Sequence, residues 1–535
     1  MAELDQRRVS VVIPARNEAD TICDVLAACR GIRPHEIIVV ANGCTDRTAQ
    51  IAREFGCTVI EDDEPLGNDV GRALGALRAT GDIVLFVDAD FAFRSDVLLQ
   101  FVLPIARGAA DVVYNDLDSL YYEKKSPHPV TVWRRTFNLV TGRPDLNIDS
   151  PLSVPHAMTG KVLDAIGCET LANPIMAHLK ICAGGFRIAH GFGVDVIRRN
   201  RYRPAEHFST PLQLSRSERR MIGDHLAALS AARLSARGPF HDGGRRRDIA
   251  ADLAAGRRVP EVAAIGWSAV SGTSRLYGGQ RLSIVIPVQN EQATIRHVIR
   301  EARKIEPSEI IAVVNGSTDG SAGLAAAEGA KVILVREALG NDVGRAVGAM
   351  AAQGDILLFI DGDFALPANH LFPYAKAVAD GVDVALNDLN HYLYLRYPLN
   401  DVTLLKYALN LAIDRKELGV GSLVAVPHAI SRRALEAIGS GGLASPGVAQ
   451  VKAALAGLKL TCVYRAEVDR INRIRPGEHF STAGRLAPAI ERIMGDHLEA
   501  FHYLLRTLGP RGLFAEDGRN WQKIRGAGLW THRTI

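Results

Sequence analysis

The sequence predicts an α/β protein of two tandem domains, each built on a Rossmann-like, mostly parallel sheet. The first observation is an internal duplication: LGNDVGRALGA from Leu66 returns as LGNDVGRAVGA from Leu339, 273 residues later. The second is that strand-length apolar runs alternate with helical segments in each copy, which favours parallel strands. The third is that these runs are continuously apolar, which is typical of a sheet covered on both faces.

The predicted elements follow one another in the same order in both copies. The first copy begins with an apolar strand and an amphipathic helix that has Ile22, Val25 and Leu26 on one face. Sheets of this kind place their ligands at the carboxyl ends of the strands. The strands of the first copy are predicted over residues 9–13, 36–40, 58–60 and 83–87, and the helix before the last strand over 70–79.

The repeat also sets the predicted domain boundaries. GDIVLFVDADF from Gly81 returns as GDILLFIDGDF from Gly354, and the later motifs VPHA, EHFST and GDHL return after 272 residues. A period of this length is far too long for a solenoid, so each copy is a whole domain. We predict domains over residues 1–247 and 281–535. The stretch over 248–280 is rich in Ala, Gly and Arg and is predicted to be a partly helical linker.

Composition excludes several classes of protein. Of the 535 residues, 47% are hydrophobic and 23% are charged, which is ordinary for a folded chain of more than one domain. The net charge of +4 is too small for a protein that coats nucleic acid. No apolar run reaches the roughly 18 residues of a transmembrane helix, and the N-terminus lacks a signal-peptide core. Seven cysteines, an odd number, favour free thiols in a reducing cytoplasm.

A pair of aspartates follows a buried strand in each copy: Asp88 and Asp90 in DAD, and Asp361 and Asp363 in DGD. Residues i and i+2 of an extended chain point the same way, so the two carboxylates of a pair can converge. Oxygen ligands of this kind suit Mg²⁺ or Mn²⁺, together with water and a substrate diphosphate. We therefore predict a divalent metal at each pair. Helix capping or a solvated turn is the alternative.

These motifs resemble, in order, those of family 2 glycosyltransferases with the GT-A fold. The first copy carries PARNE, NGCTD, the segment from Gly67 and the DxD motif, and the second carries PVQNE, NGSTD, the segment from Gly340 and its own DxD. The resemblance implies metal-dependent transfer of a sugar from a nucleoside-diphosphate sugar. The donor-binding residues that it implies are Pro14, Glu18, Asn42, Asp46, Arg72, Asp88, Pro287, Glu291, Asn315, Asp319, Arg345 and Asp361.

One departure from the family concerns the nucleobase. The usual motif carries Asp where this chain has Asn42 and Asn315. An amide donates as well as accepts a hydrogen bond, so the sequence does not specify uracil. For Glu18 and Asn42 the alternative role is capping and turn formation, and for Arg72 it is a solvated helix face.

A general base is missing from its expected place. Inverting members of the family carry a Glu-Asp pair just before a helix, and that position falls on Asn173 and Ser445, each followed by proline. Neither side chain accepts a proton near neutral pH. One alternative is that the base has moved to His156 and His428, both in VPHA. The other is a retaining reaction, in which the departing phosphate oxygen takes the acceptor proton.

A second resemblance favours the retaining alternative. The stretch VTVWRRTFNLVTGRPDLNIDSPLSVPHAMTGKVL is similar to the middle of glucosyl-3-phosphoglycerate and mannosylglycerate synthases. The later Arg199-Asn200-Arg201 resembles part of their His-Arg-Asn-Arg stretch, but their metal-binding His corresponds to Arg198 here. The resemblance therefore does not imply direct transfer of their activity to this chain.

A basic run leads into EHFST in each copy and adds further candidates. Guanidinium groups match phosphate geometry, so Arg201 and Arg473 are predicted to bind the donor diphosphate or an anionic acceptor. His207 and His479 follow these arginines and are predicted third metal ligands, as a late His is in many GT-A enzymes. A solvated basic face and a surface histidine are the alternatives.

Both copies keep the aspartate pair, so three arrangements stay open: two donors, two successive transfers, or one working site with a supporting partner. A non-catalytic protein that binds nucleotide sugars is a rival prediction. A nucleotidyltransferase is disfavoured because the loop after the first strand has no glycine to cradle a triphosphate. The sequence specifies neither the acceptor nor the oligomeric state.

Overall fold

The computed structural model divides into two compact units. Unit 1 comprises Met1–Thr210, Leu214–Arg233 and Pro510–Ile535, and unit 2 comprises Pro211–Gln213 and Leu234–Gly509. The predicted domain boundaries stay a prediction, and the units differ from them at Pro211–Gln213 and in two longer segments treated below. The structure describes residues 6–67, 69–118, 121, 127–199, 201–258, 261–263, 273–340, 342–395, 398–468, 477, 481, 486–516 and 518–527.

The sheet of unit 1 has seven strands within the described residues. They are β1 (Val9–Ala15), β2 (Glu36–Asn42), β3 (Thr58–Asp62), β4 (Ile83–Phe86), β5 (Val112–Tyr114), β6 (His156–Thr159) and β7 (Ile188–His190). Their spatial order is β3-β2-β1-β4-β6-β5-β7, and β6 runs antiparallel to both neighbours. Because β2, β1 and β4 are parallel neighbours, their carboxyl ends meet at one edge.

Helices join the strands of unit 1. All of β4 and nearly all of β1 are buried, as expected for strands covered on both faces. The helices that precede the final segment are α1 (Ile22–Arg30), α2 (Thr48–Glu54), α3 (Val70–Arg78), α4 (Ser95–Ala106), α5 (Pro129–Val140), α6 (Gly160–Ile166), α7 (Pro174–Ala183), α8 (Val196–Arg199), α9 (Pro204–His207) and α10 (Arg216–Ala231).

The sheet of unit 2 repeats this order and adds one strand at an edge. Its strands are β8 (Glu261–Ala263), β9 (Leu282–Val288), β10 (Glu309–Asn315), β11 (Lys331–Val335), β12 (Ile356–Phe359), β13 (Val384–Asn387), β14 (His428–Ser431) and β15 (Leu460–Tyr464). Their order is β15-β13-β14-β12-β9-β10-β11-β8, with β14 and the added β8 antiparallel to their neighbours.

The remaining helices are named in chain order. All but the last lie in unit 2, and the last lies in unit 1. They are α11 (Arg247–Ala254), α12 (Ile295–Arg303), α13 (Ser321–Ala327), α14 (Val343–Ala351), α15 (Ala368–Ala379), α16 (Tyr392–Leu395), α17 (Asp401–Ala412), α18 (Arg432–Ile438), α19 (Pro446–Leu455), α20 (Pro488–Leu508) and α21 (Trp521–Ala527).

Helix α3 packs closely on β1 because two of its residues are glycines. A Cβ at Gly71 would lie 2.9 Å from the Cβ of Pro14, and one at Gly75 would lie 2.3 Å from Cγ1 of Val12. The equivalent glycines of α14 pack in the same way on β9. The repeated GRxxGA pattern therefore brings the start of the helix against the end of the first strand, where the candidate site lies.

The predicted fold class is confirmed: both units are α/β, with mostly parallel sheets. None of the seven cysteines, all within the described residues, forms a disulfide bond. Among the helices that the structure describes, none combines the length and the apolar character needed to cross a bilayer.

Candidate active site

Two loops at the carboxyl ends of β1 and β2 are tied together by side chains. The side-chain carbonyl of Asn17 accepts a hydrogen bond from the Thr45 amide at 2.8 Å. The amide of Glu18 donates to Oγ1 of Thr48, also at 2.8 Å. These contacts fix the backbone around Glu18, whose side chain is 7% exposed.

Asn42 and Asn315 end β2 and β10, where the resemblance implies contacts with the nucleoside. The side-chain amide of Asn42 donates to the Ala15 carbonyl at 3.2 Å, and that of Asn315 donates to the Val288 carbonyl at the same distance. An ionised aspartate at either position would have no proton to donate. The departure from the family motif thus serves to hold the first strand's loop in both units.

Asp46 also fixes the loops that follow β1 and β2. Its carboxylate accepts hydrogen bonds from the amides of Thr48 and Ala19, each at 3.0 Å. Burial raises the pKa of Asp46, but these hydrogen bonds outweigh it and the pKa lies below its ordinary value. Asp319 of unit 2 makes the corresponding pair of bonds. In this structure both aspartates are engaged in fixing the loop, and their predicted contact with the donor stays a prediction.

Arg72 is buried between two carboxylates rather than lying on a solvated helix face. Asp69 comes immediately before α3 with a left-handed backbone (φ 65°), and its carboxylate pairs with Nη1 of Arg72. Nη2 of Arg72 donates to Oδ1 of Asp88 at 2.8 Å. Burial lowers the pKa of Arg72, but Asp88 and Asp69 raise it more, so the guanidinium stays charged. Arg72 therefore fixes the first aspartate of the DxD motif.

The second aspartate of the motif keeps an unsatisfied oxygen. Oδ1 of Asp90 is buried and has no hydrogen-bond partner among the described residues. Burial and, next, the charge of Asp88 raise the pKa of Asp90. The backbone between them is held by the Thr21 hydroxyl, which donates to the Ala89 carbonyl at 2.7 Å, and the hydroxyl of Thr294 does the same in unit 2. A desolvated carboxylate oxygen beside a second carboxylate suits a bound cation.

The basic run after α8 reaches this edge of the sheet. Nη2 of Arg203 lies 3.2 Å from Oε1 of Glu18. Burial and Asp90 raise the pKa of Glu18, whereas Arg203 and the predicted donor-binding Arg201 lower it. Three distant parts of the sequence, the β1 loop, the end of β4 and the basic run, thus meet around Glu18 and Asp90.

Unit 2 repeats the core of this arrangement. Asp342 has the same left-handed backbone (φ 69°) and pairs with Nη1 of Arg345. Nη2 of Arg345 donates to Oδ1 of Asp361 at 2.8 Å. Glu291 is again 7% exposed. The predicted Arg473 and His479 lie outside the described residues.

His156 and His428 begin β6 and β14 and lie inside the sheets. Each is 1% exposed, and burial lowers the pKa of each to about 3. Nδ1 of His156 lies 3.0 Å from the Ser153 carbonyl, and its ring stacks on Phe86. A general base must reach the proton of a bound acceptor, and a buried ring of this kind does not. The prediction that they act as bases gains no support from this geometry.

His207 and Asn173 are engaged in local structure. Nδ1 of His207 accepts a hydrogen bond from the Arg203 amide at 3.0 Å. Among the described residues it does not join Asp88 and Asp90 in a group of three ligand atoms within 4.8 Å of one another. Asn173 caps α7, its side chain accepting from two backbone amides. A metal-binding role for His207 therefore stays a prediction.

The structure also gathers residues that sequence reasoning missed. Ligand atoms of Asp116, Asp149 and His190 lie within 4.8 Å of one another, and Nδ1 of His190 is 2.8 Å from a carboxylate oxygen of Asp149. These three residues share no local motif. Asp69 was also missed, although its recurrence in the LGND segment of both copies was a usable signal.

Comparison with known proteins agrees with the motifs at the strand ends. The sequence pattern of glycosyl transferase family 2 matches the chain twice, over residues 10–161 and 283–439, which together make up more than half of it. The chain belongs to glycosyl transferase family 2. The matches begin in β1 and in its counterpart β9, and each includes one aspartate pair. The family 2 motifs predicted from the sequence therefore fall within both matched regions.

Two curated relatives are similar to a part of this family 2 chain. The glycosyltransferase AglE of Haloferax volcanii is 31% identical over 122 residues, which are 21% of this chain and 40% of that protein. The 4,4'-diaponeurosporenoate glycosyltransferase of Staphylococcus aureus is 31% identical over 130 residues, which are 22% of this chain and 35% of that protein. The chain thus spans less than half the length of either relative.

Solved structures of glucosyl-3-phosphoglycerate synthase from Mycobacterium tuberculosis are also similar. The complex with Mn²⁺, UDP and glucosyl-3-phosphoglycerate is 22% identical, with 42% of this chain and 81% of that chain covered and a TM-score of 0.33. The complex with Mn²⁺, UDP-glucose and glycerol 3-phosphate is 24% identical, with 42% and 82% covered and the same TM-score. At these identities the likeness concerns the fold alone.

Proposed function

We propose that each unit binds a nucleoside-diphosphate sugar together with Mg²⁺ or Mn²⁺ at its aspartate pair and transfers the sugar to an acceptor. The observation that carries this proposal is the buried arginine that fixes the first aspartate of each pair, Arg72 on Asp88 and Arg345 on Asp361. Membership in family 2 supports the class of reaction. The recurrence of the arrangement in both units supports two sites rather than one.

The carboxylate oxygens at the aspartate pair of unit 1 suit a divalent ion. Asp90 offers a buried carboxylate oxygen without a hydrogen-bond partner among the described residues, and Asp88 lies close enough to raise the pKa of Asp90. Carboxylate oxygens at the rim of a covered sheet are ligands that Mg²⁺ and Mn²⁺ prefer. When bound, the ion would neutralise charge on the departing diphosphate.

The chain's own residues hold this site in place before a ligand arrives. Arg72 orients Asp88, and Thr21 holds the backbone carbonyl between the two aspartates. Groups that are fixed in advance need no reorganisation during the reaction, which makes their electrostatic effect larger. Glu18 and Arg203 are paired beside Asp90, where we propose that they contact the nucleoside and its phosphates.

We further propose that configuration is retained. The candidate bases His156 and His428 are buried inside the sheets, so neither ring is placed to take the proton of a bound acceptor. In a retaining reaction the leaving phosphate oxygen takes that proton instead. The one-bond coupling constant between C1 and H1 of the first-formed product, read by NMR, gives its anomeric configuration, and an inverted product would contradict this part of the proposal.

The test is to incubate the full chain with UDP-, GDP- and other nucleotide sugars and Mn²⁺ or Mg²⁺, and to follow release of nucleoside diphosphate. We expect slow release from one or two donors that EDTA abolishes. Asp90→Ala and Asp363→Ala together should lower the rate by on the order of 10³-fold, because a catalytic metal supplies several kcal/mol.

Single variants show which unit turns over. Asp90→Ala and Asp363→Ala should each leave the activity of the other unit. Asp96→Ala and Asp380→Ala change exposed aspartates outside the site and are the controls. Activity untouched by the double change would contradict the metal assignment, and binding of a donor without any release would favour a non-catalytic protein.

A further inference from the structure

Each unit is completed by a segment that follows the other repeat in the chain. Arm 1, residues 234–258, comes after the GDHL helix α10 of the first repeat but belongs to unit 2. Arm 2, residues 510–527, comes after the GDHL helix α20 of the second repeat but belongs to unit 1. The arms are related in sequence, since Arg237 and Arg245 of arm 1 correspond to Arg511 and Arg519 of arm 2. The two repeats have therefore exchanged equivalent arms.

Arm 2 packs on the LGND loop and on α3 in unit 1. The Asn520 amide donates to the Leu66 carbonyl at 2.9 Å, and Ile524 enters the same apolar core as Leu66. A Cβ at Gly67 would lie 1.6 Å from the Gly518 carbonyl oxygen, so the loop approaches the arm as closely as glycine allows. Arm 1 makes the corresponding backbone hydrogen bond to the loop of unit 2.

Arg519 links arm 2 to the aspartate pair of unit 1. Its buried guanidinium donates to both carboxylate oxygens of Asp224, at 2.8 and 2.6 Å, and its Nη2 lies 3.7 Å from Oδ2 of Asp69. Asp69 pairs in turn with Arg72, which holds Asp88. A continuous series of alternating charges thus runs from the arm to the DxD motif.

Arg245 makes the same link in unit 2. Its Nη2 donates to Oδ2 of Asp342 at 2.7 Å and to Oδ2 of Asp496 at 2.8 Å. Asp342 pairs with Arg345, which donates to Asp361. The order of charges is therefore identical in the two units. The arm arginine of unit 2 comes from the segment after the first repeat, whereas that of unit 1 comes from the segment after the second.

The repeated GDHL motif forms the docking point of each arm. A Cβ at Gly223 would lie 2.7 Å from Nη2 of Arg511, and one at Gly495 would lie 2.3 Å from Nη2 of Arg237. Glycine therefore leaves room for the first arginine of the arm. Asp224 also accepts from Nη1 of Arg511 at 2.6 Å, so a single carboxylate holds both arginines of arm 2.

The arm arginine matters to the site because it shares a carboxylate with the arginine of α3. The side chain of Asp69 is 12% exposed; burial raises the pKa of Asp69, whereas the charges of Arg72 and then Arg519 lower it. Without Arg519, Asp69 engages more of the charge of Arg72, and Asp88 loses part of the interaction that orients it. Residues that orient a metal ligand from behind typically change metal affinity about 10- to 100-fold when they are removed.

We infer that Arg519 is a positioning residue for Asp88 and that Arg245 is one for Asp361. Each arginine is supplied to its unit by the segment that follows the other repeat. This inference rests on the proposed metal-binding role of the aspartate pairs. It implies that neither repeat, cut at the linker, carries a complete site.

The test uses the full chain with one site removed at a time. Asp363→Ala leaves the site of unit 1, and Asp90→Ala leaves that of unit 2. Mn²⁺ binding is measured by electron paramagnetic resonance with UDP and, in parallel, with GDP. Arg519→Ala should weaken binding about tenfold or more at the unit 1 site and leave the unit 2 site unchanged, and Arg245→Ala should do the reverse.

Two further measurements separate positioning from loss of structure. At saturating Mn²⁺, release of nucleoside diphosphate should recover its kcat with the donor KM unchanged, because the side chains of both arginines are only 1% exposed. Arg519→Lys keeps the charge and should recover part of the affinity. A kcat that stays low at every Mn²⁺ concentration would overturn the inference. The matched controls are Arg246→Ala in arm 1, whose side chain is 43% exposed, and Arg525→Ala in arm 2, at an exposed position.

The outcomes are distinct from a failure of the proposed function. If neither single-site protein binds Mn²⁺ with nucleotide, the proposed function itself is wrong. If they bind, but Arg519→Ala weakens the unit 2 site or leaves both sites unchanged, the metal sites stand and the role of the exchanged arms is wrong.

Discussion

The two repeats keep the residues at the ends of β1, β2 and β4 and change residues at β5 and β7. At the carboxyl ends of β1, β2 and β4, the two units share several hydrogen bonds, including those of Arg72 and Arg345. At the edge formed by β5 and β7, Asp149 and His190 of unit 1 are replaced by Gly421 and Cys462 in unit 2. The proposed donor-binding part has thus been kept in both copies, whereas the part at β5 and β7 has diverged.

The physical reason lies in how the charges are satisfied. In unit 1 the fully buried Asp149 is paired with His190. In unit 2 a Cβ at Gly421 would lie 2.3 Å from Sγ of Cys462, so the thiol fills the space of the missing carboxylate side chain. Asp149 with His190, and Gly421 with Cys462, each fill their own space. One pair can therefore replace the other as a whole. The charges at the shared edge depend on one another in series, so no single member can be replaced.

The largest expected effect breaks the shared edge. Arg72→Met and Arg345→Met each leave two carboxylates without the cation between them, which costs about 3–5 kcal/mol in the free energy of unfolding. We expect each variant to lower the free energy of unfolding of its own unit alone, and we expect the two losses to be equal. Peptide-resolved hydrogen exchange of the full chain reports each unit separately. Arg94→Met, at an exposed ion pair, is the control, and clearly unequal losses would show that the two edges are not equivalent.

A smaller effect is expected from the glycines that bring the helix onto the first strand. Gly75→Ala and Gly348→Ala each place a Cβ 2.3 Å from a valine methyl group, and such overpacking costs about 1–3 kcal/mol. Gly323→Ala lies inside α13, where a Cβ meets nothing within 4 Å, and should instead stabilise unit 2 by up to about 1 kcal/mol. Equal behaviour of the three variants in the same exchange experiment would contradict close packing at the shared edge.

The smallest expected effect concerns the loss of stability at low pH, at a residue that differs between the two units. His178 of unit 1 bonds Asn138 at 2.7 Å, and Gln450 replaces it in unit 2. Burial lowers the pKa of His178 from 6.5 to about 3. The unfolded chain therefore takes up the proton first as the pH falls, and this one histidine costs unit 1 about 2 kcal/mol of stability between pH 7 and pH 5.

His178→Gln should remove this loss and make the pH dependence of unit 1 resemble that of unit 2. Urea unfolding at a series of pH values, with exchange read for each unit, measures the slope rather than the absolute stability. His35→Gln, at an exposed position, is the control. A slope that His178→Gln leaves unchanged would mean that folding does not lower the pKa of this histidine.

Much of the fold and part of the site could be predicted from the sequence. The helix predicted over 70–79 is found as Val70–Arg78, and the strand predicted over 83–87 as Ile83–Phe86, because both have a clear hydrophobic period. The convergence of Glu18, Asp88 and Asp90 followed from parallel strands ending at one edge. The burial of His156 did not follow, because one histidine at the start of a strand looks the same in sequence whether it faces solvent or core.

The sequence by itself determined the repeat, the order of strands and helices, and the residues that close each strand, because these depend on local periods and short motifs. Only the tertiary structure decided which unit receives each arm. The two arms carry corresponding arginines and the two GDHL helices carry the same glycine and aspartate, so local chemistry does not distinguish the two pairings. The choice depends on how the whole chain packs, which places Arg519 on Asp224 and Arg245 on Asp496.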